Sequence, residues 1–188
     1  KVGSLFNGKG REGAVELQRV AVEESRLGIP VILAADVIHG MGTVFPIPLG
    51  ETASFEPDLA RRTARATAVE ATAAAIHWTY APAIDVTRDQ RWSRGAEGTG
   101  EDTLLACRFG AARVQGFQGD DLTAEHTLLA TAKHYVAYGA SLAGLDYNTV
   151  EMAPQTLHDV HLPPFQAAVD AGVASVMSSF NDINGVPA

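Results

Sequence analysis

Short runs of β-branched and other apolar residues alternate along the chain with longer alanine-rich stretches in which apolar positions recur at helical spacing. That alternation predicts repeated βα units and therefore a parallel sheet. Five runs read as strands: Val2–Phe6, Val31–Ala35, Thr79–Ile84, Ala130–Val136 and Ser175–Phe180. Each is apolar nearly throughout, as parallel strands covered on both faces should be. Between them Pro57 suits a first helical position, and Asp58 complements the dipole of a helix running to about Ile76. A second helix is predicted from about Asp102 to Gln118, with Leu105, Phe109 and Ala112 on one stripe and Gly119 past its end. A third starts at Pro163-Pro164, turns Phe165, Ala168 and Val169 inward and stops at Gly172, and residues 13–27 make a fourth.

No low-complexity linker divides the chain, so residues 1–188 read as one domain. Strands about 30 to 50 residues apart suit either a doubly wound sheet or a (β/α)8 barrel. The polar residues decide between them. Asp36, Asp85, the Lys133-His134 pair and the Asn181-Asp182 pair all fall at or just beyond the C-terminal ends of strands, where barrel active sites are built. The first crossover lacks GxGxxG, and Gly8-Lys9-Gly10 matches neither that fingerprint nor a phosphate-binding loop. The expected fold is thus an α/β, TIM-barrel-like (β/α)8 architecture. A full barrel takes about 250 residues and eight strands, so five βα units make it incomplete. A start at Lys1 without Met, and a stop at Ala188 just after the turn signal Asn184-Gly185, read as cut ends.

Composition narrows the partner. With 14 Lys and Arg against 22 Asp and Glu, a net charge of −8 and no basic cluster, the chain offers nothing to nucleic acid or to acidic lipid. No run approaches the roughly 18 apolar residues of a membrane span. Cys107 stands alone, so neither an intrachain disulfide nor a cysteine-based zinc site can form.

Three stretches carry candidate chemistry. Asp85 to Asp102 packs Arg88, Arg91 and Arg94 with Asp85, Asp89, Glu97, Glu101 and Asp102 around Trp92. It reads as a long loop at the barrel mouth, too polar for core, in which forked Arg–carboxylate pairs either merely stiffen the loop or present a spare guanidinium to a ligand hydroxyl. Lys133 and His134 are a buried ion pair and a core histidine, or else donors for vicinal hydroxyls; both can face one way only where the strand ends and twists. Asp36 leaves an apolar strand and either accepts bonds from neighbouring sugar hydroxyls or pairs with a cation. Among the other histidines, His39 reads as structural, His77 as closing a helix, and His126 as part of a solvated acidic loop. His158 and His161 are spaced i, i+3 without a third ligand, so no metal site and no cofactor are expected. There is no GxSxG or HExxH.

Taken in order, Gly28-Ile-Pro-Val-Ile-Leu-Ala-Ala-Asp-Val-Ile-His-Gly40, Phe45-Pro-Ile-Pro-Leu-Gly50, Arg88-Asp-Gln-Arg-Trp-Ser-Arg-Gly-Ala-Glu-Gly-Thr-Gly-Glu-Asp102, Lys133-His134, Asp146-Tyr-Asn148, Leu162-Pro-Pro-Phe165 and Val176-Met-Ser-Ser-Phe-Asn-Asp-Ile-Asn-Gly-Val-Pro187 resemble the N-terminal catalytic domain of glycoside hydrolase family 3. The resemblance implies a retaining, exo-acting hydrolase of the β-glucosidase and β-xylosidase type. Such an enzyme acts on β-linked glucosides or oligosaccharides, in a periplasmic or secreted setting. It implies that Asp36, Arg94, Lys133 and His134 hold the hydroxyls of the terminal sugar, with Met177 and Phe180 lining the same pocket. Gln90 stands where the family usually has Pro, Ser93 where it has Gly, and Phe180 where some members have Tyr. The N-acetylglucosaminidase branch carries a different motif after Lys-His and is set aside. The family's Asp nucleophile and Glu acid/base belong to segments beyond Ala188, so none of the residues here is expected to be catalytic. A non-catalytic carbohydrate-binding or scaffold protein is the competing expectation.

Overall fold

A computed structural model describes residues 2–7 and 10–188. Gly8 and Lys9 of the Gly8-Lys9-Gly10 stretch lie outside the described residues. The strands are shorter than their apolar runs: β1 (Ser4–Phe6), β2 (Ile32–Ala35), β3 (Trp78–Thr79), β4 (Thr131–Tyr135) and β5 (Ser175–Ser178). β1, β2 and β3 form one parallel sheet, in register Ser4 to Ile32 and Ala34 to Trp78, and β4 pairs in parallel with β5, Thr131 opposite Ser175. Single parallel bridges from Trp78 to Leu129 and from Ala83 to Lys133 join the two sheets. The expected α/β class is therefore observed, with five parallel strands in sequence order, while the sheets themselves are small and open.

The helices are α1 (Gly10–Arg19, prolonged by a wider turn over Val20–Glu24), α2 (Pro48–Thr52), α3 (Pro57–Ala73), α4 (Thr103–Gln118), α5 (Pro154–Thr156, prolonged by a wider turn over Leu157–His161) and α6 (Pro163–Asp170). Asp102 caps α4, its carboxylate accepting from the Leu105 N–H at 2.8 Å. The core lies between α3, α4 and α6 and the strands, built from Ala64, Ala68, Val114, Phe117, Ile84, Leu128 and Ala132 with Phe165 and Ala168. Val169 differs from expectation. It is exposed, because α6 buries the face that carries Pro164, Phe165 and Ala168.

Alanines on α3 let α4 come close. A β-carbon at Gly116 would sit 2.6 Å from the Ala64 β-carbon. A buried ion pair ties α2 into this layer: Arg113 donates from Nη2 to Glu51 at 2.6 Å, and Thr63 also donates to Glu51. The chain closes with a hairpin, β6 (Asp182–Ile183) and β7 (Val186–Pro187), turned by Asn184 and Gly185 at φ 52° and 81°. Positive φ at both central positions suits the Asn-Gly pair.

Candidate functional site at the strand ends

Asp36 is the first residue beyond β2, and Lys133 lies in β4, two strands away. The parallel order brings their side chains together: Lys133 Nζ donates to Asp36 Oδ2 at 2.5 Å. Lys133 is 2% exposed and Asp36 34%, so the cation is sunk in the wall while the carboxylate reaches the rim. The Lys133 ammonium also stands 3.9 Å from Glu97 Oε2. Glu97 closes a 3₁₀ turn (Ser93–Glu97) in which residues three apart eclipse, so it lies alongside Arg94. The two form a fork, Nε to Oε1 and Nη2 to Oε2, each at 2.8 Å. Asp36, Lys133, Glu97 and Arg94 thus make a continuous chain of alternating charge.

His134 joins this group through a different partner. Its Nδ1 lies 2.8 Å from Asp85 Oδ2, which also accepts from the His134 backbone N–H at 3.1 Å. A carboxylate at Nδ1 makes that nitrogen the donor and leaves Nε2 for a ligand. The Lys133–His134 peptide is cis, and the pairing with β5 slips between Lys133 and Tyr135. The alternation of the strand breaks at these two adjacent polar side chains. Lys133 and His134 are both buried and paired with an acid, Asp36 and Asp85 respectively.

An aromatic frame carries the rest. Tyr138 is fully buried, with the rings of His134, Trp92 and Phe180 edge-on at 5.2, 5.1 and 5.8 Å and the Arg94 guanidinium 5.7 Å above its centroid. Trp92 donates to Asp146 at 3.0 Å, fastening the loop before β4's return to the segment after it. Phe180 is exposed and leans on Tyr147, rings 5.1 Å apart. Met177 is half-buried, directly across from Lys133 in the β4–β5 register.

The electrostatics follow from these contacts. Burial works against the Glu97 charge, but Arg94 first, and then Lys133 and His134, hold its carboxyl below the usual carboxylate range. Burial likewise disfavours the Arg94 cation, and Glu97 more than offsets it, so Arg94 stays charged. Burial pushes the Tyr138 phenol up, with Asp146 adding to it, so that Tyr138 is neutral.

All six sequence-derived residues therefore fall in one neighbourhood, with Met177 placed by strand register. The Asp85–Asp102 stretch corrects the expectation of a mouth loop too polar for core: Asp85, Thr87, Trp92 and Thr99 are buried, and Arg91 pairs with Asp89 at the exposed rim, 2.6 Å away. Glu97 holds one edge of the Arg94 guanidinium. Glu97 and Tyr138 were not singled out in the sequence, although the Arg94-x-x-Glu97 spacing and the Tyr four residues beyond His134 were visible there. His77 does not close a helix; α3 ends at Ala73, and the His77 Nδ1 accepts from the Leu33 N–H at 3.1 Å. His39 packs its Nδ1 against the Phe45 carbonyl at 3.2 Å, and His126 is exposed. Among the described residues no group of three His, Cys, Asp or Glu is placed to hold a metal, and no helix is long and apolar enough to cross a membrane.

The family described as Glycosyl hydrolase family 3 N terminal domain matches residues 1–188. A periplasmic beta-glucosidase of Salmonella typhimurium is 42% identical over the whole chain, which covers 25% of that protein. A beta-xylosidase of Formosa agariphila is 37% identical over 94% of the chain and 26% of its own length. The crystal structure of beta-glucosidase from Listeria innocua in complex with glucose superposes with a TM-score of 0.95 at 43% identity, covering 99% of this chain and 26% of the other. The chain thus spans about a quarter of the length of the relatives it matches. With one family matched from end to end and relatives of this identity, the chain belongs to the N-terminal domain family of the family 3 glycosyl hydrolases.

Proposed function

We propose that this chain forms the hydroxyl-gripping side of the first sugar subsite of a retaining, exo-acting β-glycosidase. The whole protein would release terminal non-reducing β-D-glucosyl or β-xylosyl residues from β-glucosides and oligosaccharides. The observation that carries this is the convergence of Asp36, Arg94 and the adjacent pair Lys133 and His134, from three separate segments, on one rim. A sugar hydroxyl both donates and accepts, and the rim offers both partners. The Asp36 carboxylate accepts, Lys133 and the free edge of Arg94 donate, and His134 offers Nε2 with its Nδ1 held by Asp85. Phe180 and Met177 supply apolar surface for the C–H face of the ring. Two cations face two carboxylates in the Asp36–Lys133–Glu97–Arg94 chain, a neutral balance that suits an uncharged sugar. The glucosidase, xylosidase and glucose-bound relatives support the same substrate class.

Retention needs two carboxyl groups about 5 to 5.5 Å apart across the scissile bond, one attacking and one protonating. Asp36 is committed to Lys133 and is read as a hydroxyl acceptor rather than the nucleophile. The Asp nucleophile and the Glu acid/base are assigned to parts of the protein outside residues 1–188. The five strands are read as the first five units of a (β/α)8 barrel completed by those parts, with the site at the C-terminal face. A periplasmic or secreted location accords with the Salmonella relative.

Hydrolysis of an aryl β-glucoside by the full-length protein tests the reading. Asp36→Ala removes a charged hydrogen-bond acceptor and leaves Lys133 unpaired in the wall, so kcat/KM is expected to fall by about a hundredfold or more. Asp→Asn at the downstream nucleophile should abolish turnover while glucose still binds, as read by calorimetry. If Asp36→Ala, Arg94→Ala and His134→Ala each leave kcat/KM within about twofold of wild type, the rim does not hold the sugar.

A further inference from the structure

We infer that Glu97 is a positioning residue of the sugar site, which acts by aiming the Arg94 guanidinium. The inference rests on the reading of Arg94 as a sugar ligand given above. Arg94 has five N–H donors in one plane. Glu97 takes one from Nε and one from Nη2, both at 2.8 Å, and does not engage Nη1. A guanidinium held at two points has its third edge fixed in direction; held at none, it keeps several rotamers and loses entropy when it grips a hydroxyl. Glu97 is suited to this task by its placement. It follows Arg94 on a single 3₁₀ turn, it is partly buried at 30% exposure, and neighbouring charge keeps it ionised at the pH of the reaction.

The same carboxylate stands 3.9 Å from Lys133. Asp36 and Glu97 therefore share the Lys133 charge, and among the described residues Glu97 is the carboxylate paired with both candidate cations. Asp85 performs the equivalent task for His134 from a separate position. Glu97 itself need not touch the sugar. A glutamine in its place keeps the shape but offers one acceptor oxygen, and its amide N–H groups face the other guanidinium donor. The fork is then broken, and two cations stand against Asp36 alone.

A double-mutant cycle on the full-length protein, read as kcat/KM on an aryl β-glucoside with thermal melting recorded for each variant, tests the inference. Glu97→Gln is expected to lower kcat/KM by about tenfold to a hundredfold, the loss of a charge-assisted pair. Its melting temperature should stay near wild type, since the residue is on the rim. In an Arg94→Ala background the same substitution should cost less than about twofold, because there is no guanidinium left to aim. Glu97→Asp, which keeps the charge but shortens the reach, should recover part of the loss. Full multiplication of the two single losses would overturn the inference, as would an unaltered kcat/KM for Glu97→Gln. An Arg94→Ala variant with undiminished kcat/KM would instead remove the underlying assignment of Arg94 to the sugar.

Discussion

At the scale of single residues, the titration of His161 gives a direct check on how the site is walled. His161 is 6% exposed. Burial pulls its pKa down to about 4 from 6.5, with Asp85 opposing and Arg88 adding to the shift. The folded state therefore keeps the ring neutral while the unfolded chain protonates it below pH 6.5, so the unfolded state binds more protons and stability rises with pH through this window. The contribution is complete above pH 6.5 and is lost as pH falls toward 4, about 3 kcal/mol in all. Denaturant midpoints of wild type and His161→Gln at pH 7 and pH 5 should show a smaller acid-side drop in the variant; equal drops would place the titration elsewhere. The sequence displayed His161 only as an i, i+3 partner of His158, because burial by a distant segment leaves no mark on local spacing. Asp36, Lys133 and His134 were legible, since each interrupts or ends an apolar run. Their partners Glu97 and Asp85 were visible as acids but not as partners, because the pairing is made by strand order rather than by nearness in sequence.

At the scale of elements, the contact of α3 with α4 depends on volume more than on chemistry. Gly116 leaves no room for a methyl group against Ala64 and the Arg61 carbonyl, and both elements are anchored by the same alanine-rich core. Gly116→Ala gains intrinsic helix propensity, by about 1 kcal/mol in a free helix, yet must push the two helices apart. Overpacking costs about 1 to 3 kcal/mol, so a net loss of stability is expected, seen as a lower melting temperature of the full-length protein. A raised melting temperature would show that the helices separate freely. Periodicity found α3, α4 and α6 because each shows a sustained stripe and a marked end: Pro57, the Asp102 cap, Gly119 and Pro163-Pro164. It passed over α2 and α5, which are too short to show a period and are held by tertiary contacts such as Glu51 with Arg113. The third strand was read too long, as Thr79–Ile84. Regular pairing there covers only Trp78–Thr79, and the backbone then joins β4 through one bridge, Ala83 to Lys133, on its way to Asp85.

At the scale of the whole molecule, the chain's own surface supplies a test of the proposed barrel. Among the described residues β1 and β5 are each paired on one side only. Phe6 and Ile32 near one edge, and Tyr135 and Val176 near the other, are each more than a third exposed. Unpaired strand edges flanked by apolar side chains template pairing with another chain. A net charge of −8 opposes that association by mutual repulsion, which salt screens within about 10 Å at 0.1 M. Residues 1–188 produced alone should therefore elute as oligomers, increasingly so as salt is raised, and should bind an apolar dye that the full-length protein binds weakly. A monomer with a single cooperative melt and no salt dependence would contradict the open-barrel reading. It would mean that five strands and their helices already satisfy their edges, and the rim residues would then stand on a complete scaffold rather than on one wall of a larger one.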